Sequence, residues 1–142
     1  MGDKEKCMSD VEKLRSLIDS APKPACAALT PFSVLEADAD RGFVKVEFQP
    51  QPAFGNMFGH IQGGFAVAML DLPISFAGLL KLQQWLPTLE IKTSFLAPAK
   101  LGVCIGEGQI IRAGKTIAFA EGKLWGPDGK LAAHATATLA VK

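Results

Sequence analysis

The stretch that decides the fold reads Gly55-Asn56-Met57-Phe58-Gly59-His60-Ile61-Gln62-Gly63-Gly64 and continues as an apolar run to Leu80 in which Asp71 is the only charged residue. Alone among segments that alternate like strands, this run is most simply a core helix packed against a sheet. It is expected to start near Gln62 or Gly63 and to end near Leu80 or Leu82. Pro73 lies inside it and is expected to bend the helix or remove one of its hydrogen bonds.

On the N-terminal side, residues 4–20 mix charges with Val11, Leu14, Leu17 and Ile18 at helical spacing, with Ser9 placed to cap the start and Pro22 and Pro24 to end it. Two strands follow, Phe32 to Ala37 and Phe43 to Gln49. In the second, Val44, Val46 and Phe48 alternate with Lys45 and Glu47, and Asp38 through Gly42 supplies the turn. Pro50 and Pro52 stop the sheet before the long helix. Beyond Pro87 four more strands are expected: Leu89 to Leu96, Leu101 to Arg112, Thr116 to Trp125 and Leu131 to Val141. Gly126-Pro127-Asp128-Gly129 turns the chain between the last two. The organisation is an N-terminal helix and linker over residues 1–27 and one domain over residues 28–142, an α+β arrangement. A sheet of this size is expected to bury the long helix by curving around it.

At 142 residues the chain is long enough for one substantial core. A formal net charge of +1, with no dense Lys/Arg block, gives no electrostatic reason to expect a nucleic-acid partner. Apolar residues make up 49%, which leaves modest polar cover and favours a subunit interface. Cys7, Cys26 and Cys104 have no metal-type spacing and leave an odd thiol, as expected of a reducing, cytoplasmic location. The polar N-terminus carries no apolar signal core. A membrane span through the long helix would have to include Gln62 or Asp71 together with Pro73, so no membrane role is expected.

At the central stretch the sequence resembles the hot-dog fold thioesterases, specifically the PaaI-like acyl-CoA thioesterases of the phenylacetate pathway. The matching residues are Asn56, Gly59, Ile61, Gly63, Gly64 and Asp71, then Phe95 and Pro98, then Arg112-Ala113-Gly114-Lys115 and Asp128-Gly129-Lys130-Leu131-Ala132. The resemblance runs from about Phe32 to the C-terminus. It implies a curved antiparallel sheet wrapped around a long central helix, hydrolysis of an acyl-CoA thioester without a cofactor or metal, and a homodimer with two shared sites, possible also as a homotetramer. One position departs: the family usually has histidine directly before the two glycines, where this chain has Gln62. His60 lies two residues earlier, at a position the family does not fix, and the histidine's role is not transferred to it.

Within that frame, the N–H groups of Gly63 and Gly64 at a helix start are placed to stabilise the negative charge on a thioester oxygen; otherwise the pair simply permits tight packing. Gln62 has an amide able to orient a carbonyl or a water but no proton-transfer chemistry, or it bonds nearby backbone at the helix start. Asp71, a carboxylate in an apolar helix, is the candidate general base or nucleophile, with a structural carboxylate as the bland reading. By resemblance Asn56 holds the water or thioester, or it is a turn residue bonded to its own backbone. Ser75 either reaches the substrate pocket or bonds the helix backbone. Arg112, Gly114 and Lys115 lie, by resemblance, where coenzyme A is met, or are ordinary turn residues. His134 is expected to be structural, without clustered metal ligands.

On an unbroken helix Gln62 and Asp71 stand roughly 13 Å apart along the axis and about half a turn around it. If both act on one thioester, the site lies between two subunits. The competing readings are a module that binds acyl-CoA without turning it over and an assembly protein with no ligand.

Overall fold

The computed structural model describes residues 7–142. The expected N-terminal helix is present as α1, Asp10–Ser20; the part of it placed on residues 4–6 lies outside the described residues. Ser9 Oγ accepts from the Glu12 N–H at 3.2 Å, and Glu12 Oε2 accepts from the Ser9 N–H at 2.9 Å. This reciprocal pair satisfies two of the donors a helix start leaves free. Leu14 is fully buried, and Asp10 Oδ2 accepts from the Ala39 N–H at 2.7 Å, which ties α1 to the turn after the first strand. A short 3-10 turn over Ala25–Leu29, without a counterpart in the sequence reading, carries the chain to the sheet.

The strands are β1 (Phe32–Asp38), β2 (Phe43–Phe48), β3 (Thr88–Phe95), β4 (Cys104–Ala113), β5 (Ile117–Trp125) and β6 (Leu131–Ala140). All pairings are antiparallel, in the order β1-β2-β4-β5-β6-β3. Gly42, at φ 61°, closes the β1–β2 turn in a conformation that favours glycine. The long helix, α2, spans Gly63–Leu82 and is continuous through Pro73. The missing proline N–H costs one rung of the ladder without ending the helix, because packing against β4 holds the segment in place.

One expectation is corrected here. The sheet does not curve around and enclose the helix: it is open, with β1 and β3 as two free edges that do not pair with each other. The helix packs on one face, against Val44, Val46 and Phe48 of β2, Gly106 and Gly108 of β4, and Ala118, Ala120 and Leu124 of β5, all buried. The opposite face carries Lys45 between Glu36 and Glu107 at 3.6 and 4.0 Å, and His134 against Glu121 at 3.2 Å. The physical reason is close one-sided contact. At Gly108 the strand has no side chain, so the backbone of α2 at Pro73 and Ile74 settles directly on β4, and at Gly106 the same absence makes room for the Phe48 ring and the Pro73 side chain. Helix burial is reached there by approach, not by encirclement. By length and composition alone α2 is long and apolar enough to cross a membrane, and more than half of it is buried in this core.

Candidate functional site

The approach to α2 is a loop built on Asn56. Its Oδ1 accepts from the Phe58 N–H at 2.9 Å and the His60 N–H at 3.1 Å, and its backbone N–H donates to His60 O at 2.7 Å. With the carbonyl oxygen engaged by two backbone donors, the Asn56 NH₂ group is left facing outward as a donor. Gly59, at φ 75°, closes the turn. His60 and Lys100 then form an isolated bridge, and the Gln62 N–H donates to Phe54 O at 2.8 Å.

Gln62 is the N-cap of α2. Its Oε1 accepts from the Gly64 N–H at 2.8 Å and from the Phe65 N–H at 3.3 Å. This is the backbone-bonded alternative weighed for Gln62, and it commits the Gly64 donor to the cap. Among the described residues no acceptor stands against the Gly63 N–H. The helix start thus retains one forward-pointing donor with the dipole behind it.

Around Gly63 lies a cavity of about 450 Å³ whose wall includes Asn56, Phe58, His60, Phe95 and Leu96, with Ala66, Ala97, Ala132 and Ala133 as small residues. Phe95 packs against Gly63: a Cβ added to that glycine would stand 3.2 Å from Phe95 Cζ. Asp71 does not line this cavity. It is half-buried, two turns further along α2, and accepts a hydrogen bond from Thr88 Oγ1 at 2.9 Å. Thr88 opens β3, and the sequence reading gave it no role; a threonine after Pro87 carries no local sign that it will meet a helix residue seventeen positions earlier.

The structure therefore brings Asn56, Gly63 and Gln62 together at one end of β3 and sets Asp71 apart at the other. Ser75, one turn beyond Asp71, is half-buried. Arg112, Gly114 and Lys115 are exposed at the β4–β5 turn, where the Gly114 N–H donates to Ile117 O at 2.9 Å. His134 lies on the outer face of the sheet with Glu121. Among the described residues no group of three or more His, Cys, Asp or Glu side chains is arranged to hold a metal.

A family profile described as "Thioesterase superfamily" matches residues 58–133, just over half of the chain. A phenylacetic acid degradation-related protein from Ralstonia eutropha is 34% identical, with 89% of this chain and 97% of that one covered and a TM-score of 0.80. The PaaI protein of the phenylacetic acid degradation operon of E. coli is 16% identical over 94% of this chain and 96% of that one, with a TM-score of 0.79. A hypothetical thioesterase protein from Streptococcus pneumoniae, solved with coenzyme A, is 20% identical over 79% and 86%, with a TM-score of 0.71. The last two share the fold. No curated protein matches at the sequence level.

Proposed function

This chain belongs to the hot-dog fold thioesterase superfamily, and on that premise we propose that it hydrolyses an acyl-CoA thioester to a free acid and coenzyme A as a homodimer with shared sites. The observation that carries the proposal is the division of the machinery between the two ends of β3. Thr88, which holds Asp71, begins that strand, and Phe95, which packs on Gly63, ends it. Seven residue-to-residue steps of strand separate them by about 23 Å, and Gly63 and Asp71 stand about 12 Å apart along their helix. No single thioester carbonyl fits between groups so far apart.

A second copy removes that obstacle. β3 is a free edge with exposed Leu89 and Phe95 and, just beyond it, Leu96, a combination that invites pairing. In a two-fold antiparallel pairing centred between Ile91 and Lys92, the Thr88 end of one strand faces the Phe95 end of the other. The partner's Asp71 then meets this chain's Gly63, twice per dimer.

In this reading the Gly63 N–H and the Asn56 NH₂ group receive the thioester oxygen as it gains charge. Asp71, oriented by Thr88, either takes a proton from the attacking water or attacks the carbonyl carbon itself. The C–S bond breaks, the sulfur leaves as the thiolate of coenzyme A and takes up a proton, and the oxygen of water ends in the acid. Gln62 shapes the helix start and transfers no proton. Arg112, Gly114, Lys115, Gly64 and Ser75 are assigned to substrate contact on the resemblance alone.

The test is thiol release from short, long and aryl acyl-CoAs by the purified chain, with Asp71→Ala expected to lower turnover by about 100-fold or more while the fold is kept. Absence of release across the panel would overturn the hydrolase reading. A second reading, binding without turnover, is favoured by one observation: the position where the family usually has histidine holds a helix-capping glutamine. Saturable acyl-CoA binding with no product would select it.

A further inference from the structure

Resting on the thioesterase reading above, we infer that the cavity beside Gly63 receives the acyl group, that the group it takes is uncharged, and that Phe95 sets its size. Among the described residues the cavity wall contains no Lys, Arg, Asp or Glu side chain. Its nitrogen-bearing side chains are the Asn56 amide and the His60 imidazole, neither of them a permanent cation. An acyl chain ending in a carboxylate would give up its water there with no fixed counter-charge, which strongly disfavours it. A methyl-ended or aryl chain loses nothing comparable and covers apolar surface of Phe58, Phe95 and Leu96, which are 75%, 56% and 58% exposed in the chain.

Phe95 holds the limiting place in that wall. Its ring tip rests on the α-carbon of Gly63, where an added Cβ would be 3.2 Å from Cζ and 3.5 Å from Cε1. The Gly63 N–H belongs to the same residue. A carbonyl held by that N–H therefore has the Phe95 ring beside it within the first few atoms of its chain. Elsewhere the wall includes Ala66, Ala97, Ala132 and Ala133, which already leave as much room as a side chain can. Among the described residues the Phe95 ring is the bulky wall group that stands against Gly63, so its truncation enlarges the space next to the reacting carbon. Its exposure also means that truncation removes little from the core.

The experiment measures kcat/KM for butanoyl-, decanoyl-, phenylacetyl- and succinyl-CoA, with dissociation constants for the matching non-hydrolysable thioether analogues, in the native chain, Phe95→Leu and Phe95→Ala. Succinyl-CoA is expected about 100-fold or more below butanoyl-CoA, which has the same number of acyl carbons. The decanoyl-to-butanoyl ratio is expected to rise about tenfold or more in Phe95→Ala, with Phe95→Leu between. Comparable use of succinyl and butanoyl groups would overturn the charge assignment, and an unchanged chain-length ratio in both variants would overturn the role of Phe95. If no thioester is cleaved, the hydrolase reading fails. The analogue affinities then decide the acyl assignment by the same two comparisons.

Discussion

Replacing Gly108 with alanine tests the contact that seats the central helix. An added Cβ would stand 2.2 Å from the carbonyl oxygen of Pro73, 2.3 Å from its carbonyl carbon and 2.5 Å from the nitrogen of Ile74. Ordinary carbon–oxygen contact needs more than 1 Å beyond the first of these, and both sides of the clash are backbone, so no rotamer change relieves it. Either α2 lifts from β4 or β4 bends away, and in each case buried Met69, Ile74 and Ala77 lose neighbours. Overpacking usually costs 1–3 kcal/mol, and a clash with immobile atoms belongs at or above the top of that range, about 3 kcal/mol. For a chain of this size that lowers the thermal midpoint by roughly 10 °C. Calorimetry on Gly108→Ala and Gly106→Ala side by side makes the check internal. At Gly106 the nearest atom is Phe48 Cε2 at 2.8 Å, a side chain, so the smaller loss is expected there. A Gly108→Ala midpoint within about 2 °C of the native value would refute the claim that backbone contact fixes the helix.

Three further outcomes follow from the site and the core. Thr88→Val removes the donor that orients Asp71 and is expected to lower kcat about tenfold, with Thr88→Ser near native; equal thiol release by all three would take Thr88 out of the mechanism. Gln62→Ala uncaps the Gly64 and Phe65 N–H groups, costing about 1 kcal/mol, so the thermal midpoint should fall by roughly 3 °C, and an unchanged melt would contradict the capping role. Burial, aided by the Asp128 charge, pushes the Cys104 thiol from 9.0 up to about 11. The unfolded chain loses that proton near pH 9 and the folded chain only near 11, so the contribution is complete below pH 9 and declines as pH rises toward 11. Denaturant melts across that window should show the decline in the native chain and lose most of it in Cys104→Ala.

Period-two alternation in Val44, Val46 and Phe48 and an apolar run from Phe65 to Leu80 in which Asp71 is the only charged residue were enough to place the second strand and the long helix, because each pattern states which side chains avoid water. The Gly126–Gly129 turn was legible for the same local reason: Gly129 sits at φ 76°, and Asp128 Oδ1 accepts from the Lys130 N–H at 3.1 Å. The glycine pair, Asn56 and Asp71 were likewise legible as residues on or beside one helix, and the family is carried by their order.

What the pattern leaves open is what each buried face is buried against. An apolar helix beside a set of strands is satisfied equally by a sheet that curls around it and by an open sheet that it sits upon. The choice fell to Gly108, whose missing side chain lets two backbones touch, with Gly106 beside it making room for the Phe48 ring and the Pro73 side chain. Contacts across long sequence separations were also settled only in three dimensions: Thr88 on Asp71, Phe95 on Gly63, and the turning back of the Gln62 amide onto its own helix. Residue type and local period encode exposure, whereas the meeting of two distant side chains depends on strand order and on how closely elements approach, and both of those are properties of the assembled chain.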